Sequence, residues 1–299
     1  MKTSDGASVA QQRGRRRFSG DTALALWGAV AAISLAGPLF RLAVPTHPLV
    51  SAGIRLVIAA ALLLPWTLRA WPTMSPTIRR AALLGGALYA VHFGAWVWSL
   101  TLTTVAASVS LVTATPLMLA VWSLVQGRDK PSPTLWAALG VAAVGIAMIG
   151  GVDMGQGAGA VAGDALALLG AMAMAIYLAY VRTLGEAVPV MPFMGLCTAV
   201  GGALLLSVSA ALGLDLTPAH AQAGWALFAA ALLPQLVGHG LLTWSLRHAT
   251  PTRVGVATLG EPVGASLLAW WLFAELPSTW TIVGCVFTGG AVLAATLRR

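Results

Sequence analysis

The sequence predicts an all-α integral membrane protein with ten transmembrane helices built as two inverted five-helix repeats. Three observations lead there. The 299 residues are 58% hydrophobic and only 9% charged, against roughly 25% charged residues in soluble domains. The apolar residues fall into ten runs near the roughly 20 residues that span a bilayer. The two halves of the chain also share short sequence signatures at matching positions.

A net charge of +8 could point to nucleic acid. The basic residues, however, fall between apolar runs and form no patch, so nucleic acid is not an expected partner. Cys197 and Cys285 both lie inside apolar runs. They read as buried packing residues, not as a disulfide framework.

The runs, in order, are Thr22–Val44, Leu49–Leu68, Arg80–Leu100, Val105–Gln126, Thr134–Gly151, Ala162–Leu184, Met191–Leu212, Gly224–Leu246, Thr252–Phe273 and Thr279–Leu297. They are continuous and rich in Ala and Leu, and lack the alternation of a membrane barrel. Residues 1–21 form a polar tail. Arg13, Arg15, Arg16 and Arg17 resemble a signal peptide's basic region, but the first run exceeds a signal core of roughly 7–15 residues and reads as an uncleaved span. The connections are short and carry helix breakers, as in Pro45-Thr46-His47-Pro48 and Pro131-Ser132-Pro133.

Orientation follows from the bias of Lys and Arg toward the cytoplasmic side. Lys2, the tail arginines, Arg69, Arg79, Arg80, Arg128, Lys130, Arg182, Arg247, Arg253, Arg298 and Arg299 fall on one side if the ends alternate, and Arg41 alone falls at an end on the other. Asp153, Asp164, Asp215 and Glu275 fall on the other. Both termini are therefore expected in the cytoplasm, with the protein in the cytoplasmic (inner) membrane.

The repeat is visible in pairs. Ala23-Leu24-Ala25-Leu26 opens the first span and Ala165-Leu166-Ala167-Leu168 the sixth. Trp98-Ser99-Leu100 closes the third and Trp244-Ser245-Leu246 the eighth. Thr115-Pro116 matches Glu261-Pro262 at the same spacing. Five spans per copy is an odd number, so the second copy enters from the opposite side. The halves are residues 22–151 and 162–297. Inverted repeats place a substrate site near the midplane, where the halves meet.

Leu259-Gly260-Glu261-Pro262-Val263-Gly264-Ala265, followed by an apolar run and Ala274-Glu275-Leu276, resembles the ninth-span signature of the drug/metabolite transporter superfamily, EamA-type branch. Gly284 through Gly290 resembles its tenth span. In the first half, Arg128-Asp129-Lys130 replaces the usual Glu-Arg turn. The resemblance implies ten helices, cytoplasmic termini and a secondary transporter, often an exporter of amino acids or similar metabolites. The aromatic-rich centre is similar to the exporters of aromatic and other neutral amino acids.

Intramembrane polar residues are costly and are functional candidates by default. Tyr89, His92 and Trp96 recur at helical spacing on the third span. Gln235 and His239 are four apart on the eighth. With Trp244 they form the expected substrate-binding set of a cavity between the third, fourth, eighth and ninth spans. Taken singly, each also fits helix packing. Pro234, Gly238 and Gly240 predict a kink or local unwinding, and with Pro116 and Pro262 they are the expected hinges. Glu261 is either a proton or cation site or a brace for the Pro262 kink. Arg55 either meets a substrate carboxylate or snorkels to the outer headgroups, and the snorkelling reading is preferred. Tyr177 and Tyr180 are further lining candidates.

The sequence contains no phosphate-binding Gly-x4-Gly-Lys-Ser/Thr loop, so ATP-driven transport by this chain is not expected. His92 and His239 have no Cys or carboxylate at ligand spacing, so neither a metal nor a cofactor is expected. The alternative functions are an intramembrane enzyme and a channel or scaffold. A Gly-x-Ser-x-Gly motif is missing, and no repeated filter loop is visible. The expected partners are the bilayer and a small solute such as an amino acid.

Overall fold

The computed structural model describes residues 20–119, 132–150, 157–184, 188–245, 248–249, 251–274 and 278–297. The tail arginines, Arg128, Asp129, Lys130, Asp153, Arg247, Glu275, Arg298 and Arg299 lie outside them.

Every predicted span coincides with a helix. Seven are long and apolar enough to cross a membrane: Gly20–Leu42, Pro48–Thr73, Pro76–Ser99, Ala158–Val181, Val190–Ala211, Ala221–Ser245 and Val254–Phe273. Three shorter apolar helices, Val105–Leu119, Trp136–Met148 and Ile282–Ala291, coincide with the fourth, fifth and tenth spans.

Local chemistry sets where helices begin. The first N–H groups of a helix lack intrahelical acceptors, and the loop residues supply them. Ser75 accepts from the Ile78 N–H at 3.3 Å and Thr104 from Ala107 at 3.1 Å. His47 Nδ1 accepts from Leu49 at 3.3 Å, and His220 Nδ1 from Ala223 at 3.0 Å. Pro48 and Pro76 open the second and third spans, where a missing N–H costs nothing.

The side-chain distribution is that of a protein solvated by lipid. Trp225, Leu24, Trp271 and Val286 are exposed on the perimeter, while Arg55 and Gln235 are fully buried. In a hydrocarbon solvent apolar side chains have no reason to turn inward, whereas polar groups do. At one rim Arg79 lies over the Trp71 ring at 4.2 Å and donates to the Trp71 carbonyl at 2.6 Å.

The packing between halves pairs equivalent spans. The second packs on the seventh, the fifth on the tenth, and the fourth against the ninth. The third packs on the sixth as the eighth packs on the first. Each of these contacts joins spans that the sequence pairs between halves, or has a counterpart between the corresponding spans. Glycines permit close approach at these seams. A Cβ at Gly202 would lie 2.8 Å from Val57 Cγ2 and 3.0 Å from the Val57 backbone nitrogen.

Three spans are irregular partway along their length. The fourth turns at Thr113 and Ala114, before Pro116. The ninth breaks at Leu259 and Gly260 into Pro251–Thr258 and Glu261–Phe273. These breaks sit at equivalent positions of the halves, and each places its proline in the first turn of the restarted helix. The eighth span does not unwind at Pro234, Gly238 and Gly240. It forms a π-helix over Ala231–His239 and returns to α-helix at Gly240. A π-helical stretch accommodates a proline because its wider turns open the backbone ladder, and such segments occur often at functional sites.

Candidate functional site

At the junction of the halves lies a cavity of about 80 Å³. Its first-half lining is Tyr89, His92, Phe93 and Trp96 on the third span, with Thr113 and Thr115 beside the break in the fourth. The second half contributes Tyr177 and Leu178 on the sixth span, His239, Leu242 and Thr243 on the eighth, and Thr258 and Glu261 on the ninth. Ile33 and Ala36 of the first span complete one wall. The space holds a few waters and falls below the roughly 300–1,000 Å³ of typical ligand pockets. A larger solute therefore requires the walls to move apart.

Hydrogen bonds fix the polar lining. His92 Nδ1 meets the Gly170 carbonyl at 2.8 Å. A carbonyl only accepts, so Nδ1 carries the proton and Nε2 is left as an acceptor. Tyr89 OH donates to Tyr177 OH at 3.3 Å, joining the third and sixth spans. Thr115 Oγ1 donates to the carbonyls of Val112 (3.0 Å) and Ala171 (3.2 Å). Thr243 and Thr258 likewise donate to the carbonyls of His239 and Gly255. The threonines spend their protons on backbone and leave oxygen lone pairs free to accept.

Glu261 opens the second piece of the ninth span, in the first turn of a helix. The helix dipole favours a carboxylate there. The Ser34 hydroxyl donates to the Val30 carbonyl at 2.8 Å and lies 3.4 Å from the Glu261 carbonyl. Among the described lining residues Glu261 supplies the carboxylate, and no lysine or arginine is present.

The aromatic wall is continuous. His92 stacks on Trp96 with ring centroids 6.2 Å apart, and Phe93 meets His239 edge-on at 5.6 Å. Phe40 packs edge-on against Trp96 at 5.7 Å. Phe93 completes the third-span face, four residues after Tyr89 and three before Trp96. The sequence reading missed it because it is apolar, although the helical period marks it.

The structure brings together Tyr89, His92, Trp96, His239 and Glu261 but not every expected lining residue. Trp244 is five residues beyond His239, off the face that presents Leu242 and Thr243. It is 36% exposed and packs on His248 at 4.2 Å. Gln235 is buried and outside the cavity lining, where it accepts from Arg55 Nη2 at 2.8 Å. Tyr180 is outside the lining. The first and sixth spans join the four that were expected.

Arg55 corrects the snorkelling expectation. Its side chain is 0% exposed, with the guanidinium 4.4 Å from the Phe93 ring centre and 5.4 Å from that of Phe40. It turns inward because the second span packs against the seventh and touches the π-helix of the eighth, and Gln235 and the ring faces there offer more to a cation than lipid does.

Seven helices long and apolar enough to cross a membrane, three shorter apolar ones and an aromatic-walled cavity lined from both halves fit a multi-pass membrane protein. The EamA-like transporter family matches residues 22–151 and 161–297, and the chain belongs to that family. A solved structure described as "Crystal structure of protein" shares the fold at a TM-score of 0.71 and 19% identity, covering 93% of this chain and 98% of that one. Among curated proteins no match was found.

Proposed function

We propose that the protein is a secondary transporter exporting neutral amino acids, aromatic ones foremost, across the cytoplasmic membrane by alternating access through the central cavity. The observation carrying this reading is that one cavity, at the junction of two repeat-related halves, is lined from both. Equivalent helices facing each other across a site are the arrangement that a rocking motion exposes to either side in turn.

The lining suits a solute with an apolar body and a polar head. Tyr89, Phe93, Trp96 and Tyr177 offer ring faces, and a few fixed polar groups orient the ligand. Glu261 and the aromatic faces favour an ammonium group. The lining residues of the sixth, eighth and ninth spans fall in the halves that the Lys/Arg pattern assigns to the cytoplasm. That supports a state facing inward, with Phe40, Phe93 and Trp96 closing the outer side. Proline and π-helical irregularities in the fourth, eighth and ninth spans are where helices bend at least cost.

The test is efflux of radiolabelled L-phenylalanine from proteoliposomes. The reading expects Trp96→Ala and His239→Ala to reduce flux at equal amounts of folded protein. Flux that falls only in proportion to folded yield assigns these residues to packing and rejects the cavity as the pathway.

A further inference from the structure

A cluster of hydrogen-bond donors without acceptors lies behind the cavity's aromatic wall. Arg55 is fully buried, and only its Nη2 has an acceptor, the Gln235 Oε1 at 2.8 Å. Its Nε and Nη1 have none. The Gln235 amide nitrogen lies beside the Tyr89 hydroxyl but makes no hydrogen bond of acceptable geometry. The indole Nε1 of Trp96, which lines the cavity, is also buried and without an acceptor. Phe40 touches both Arg55 and Trp96.

Such a cluster is expensive in hydrocarbon. A buried donor left unsatisfied forfeits its hydration, and a buried cation is normally paired. Among the described residues Arg55 has no carboxylate within ion-pair distance, only two ring faces and a neutral amide. A purely structural arginine would be saturated by its surroundings. This one is short of acceptors, and so are its neighbours.

We infer that Arg55, Gln235 and Trp96 form a carboxylate subsite at the closed end of the transport cavity, with Phe93 as the partition between guanidinium and solute. The inference rests on the transport reading and adds to it the group of the solute that is recognised. A carboxylate entering from the cavity meets the Trp96 N–H first. Displacement of Phe93 then gives it the free edge of Arg55 in a charge-assisted contact. Glu261, which also lines the cavity, supplies a carboxyl group for the amino end of such a solute. Gln235 sits on the π-helix, so binding at Arg55 is mechanically tied to the irregular span.

The test is calorimetric binding to the purified full-length protein, using L-phenylalanine and L-phenylalaninamide. The amide keeps the ring and the amine and loses the carboxylate. The wild type is expected to prefer the acid by about tenfold or more, the range of a hydrogen bond to a charged group. Arg55→Gln is expected to bring the ratio near one. Should that variant fold poorly, Gln235→Glu supplies an internal carboxylate to Arg55. It is expected to raise thermal stability and also to abolish the preference. A wild type that binds acid and amide equally overturns the inference, as does a folded Gln235→Glu that keeps the preference. If L-phenylalanine does not bind but 3-phenylpropionate binds in an Arg55-dependent way, the subsite stands and the amino acid reading falls. If neither binds, the subsite falls as well.

Discussion

Gly202→Ala and Gly140→Ala make the same chemical change on two spans and are expected to shift stability in opposite directions. At Gly202 the added Cβ lands 2.8 Å from Val57 Cγ2, 3.0 Å from the Val57 nitrogen and 3.2 Å from the Gly53 carbonyl oxygen. Rotation of Val57 relieves the first contact. The other two are backbone, so the second and seventh spans must separate. Overpacking of this kind costs about 1–3 kcal/mol, while alanine gains up to about 1 kcal/mol over glycine in helix propensity. With two of the contacts on rigid backbone the cost falls in the upper part of that range, about 2–3 kcal/mol, and the net expectation is a loss of about 1–2 kcal/mol. At Gly140 nothing lies within 4 Å of the new Cβ, so only the propensity gain remains. Heating detergent-solubilised protein and measuring the monodisperse fraction by size-exclusion chromatography reads both. At about 2–4 °C per kcal/mol, Gly202→Ala should lower the midpoint by several degrees and Gly140→Ala should raise it slightly. Val57→Ala added to Gly202→Ala should recover only part of the loss, because the backbone contacts remain. A midpoint that rises for Gly202→Ala would refute the seam as described.

Three further outcomes are expected. Glu261→Gln should change transport or its pH dependence if the carboxylate titrates, and spare both if it only braces Pro262; full flux and full thermal stability in Glu261→Ala would remove both roles. Thiol labelling of cysteines placed at residues 2 and 298 should fail from outside intact cells, since both ends are expected in the cytoplasm; labelling of either would reject the topology. His47 lies in the loop between the first two spans, where burial lowers its pKa below 6.5. The unfolded chain therefore takes up this proton first, so stability should fall as pH drops below 6.5 toward the folded value. His47→Asn, which can still cap Leu49, should flatten that dependence; an unchanged profile would show that His47 titration contributes nothing to it.

Much of the architecture was legible in the sequence because membrane solvation leaves so simple a signal. Among the described residues the ten apolar runs coincide with seven long apolar helices and three shorter ones, and the Pro45–Pro48 loop ends one and starts the next. The Thr115-Pro116 and Glu261-Pro262 pairs marked the two breaks partway along their spans. Helical spacing found Tyr89, His92 and Trp96 on one face. The pattern failed at Gln235: the four-residue spacing puts it on the face of His239 but does not show which of the two reaches the cavity, and Gln235 is engaged by Arg55 while His239 lines the space. Arg55 was misjudged for another reason. Its distance from the span end permits snorkelling, and nothing in a linear sequence shows that a π-helical glutamine and two phenylalanines wait on the inner side.

The central claim is that the cavity between the halves is the solute pathway, and accessibility tests it most directly. In a background with Cys197 and Cys285 replaced, a single cysteine at Thr258, on the ninth-span wall, can be exposed to a membrane-impermeant thiol reagent from either side. The account predicts reaction from the cytoplasmic side, slowed by saturating L-phenylalanine. A cysteine there that reacts from neither side, or reacts at a rate unaffected by the solute in protein that transports it, would contradict the account.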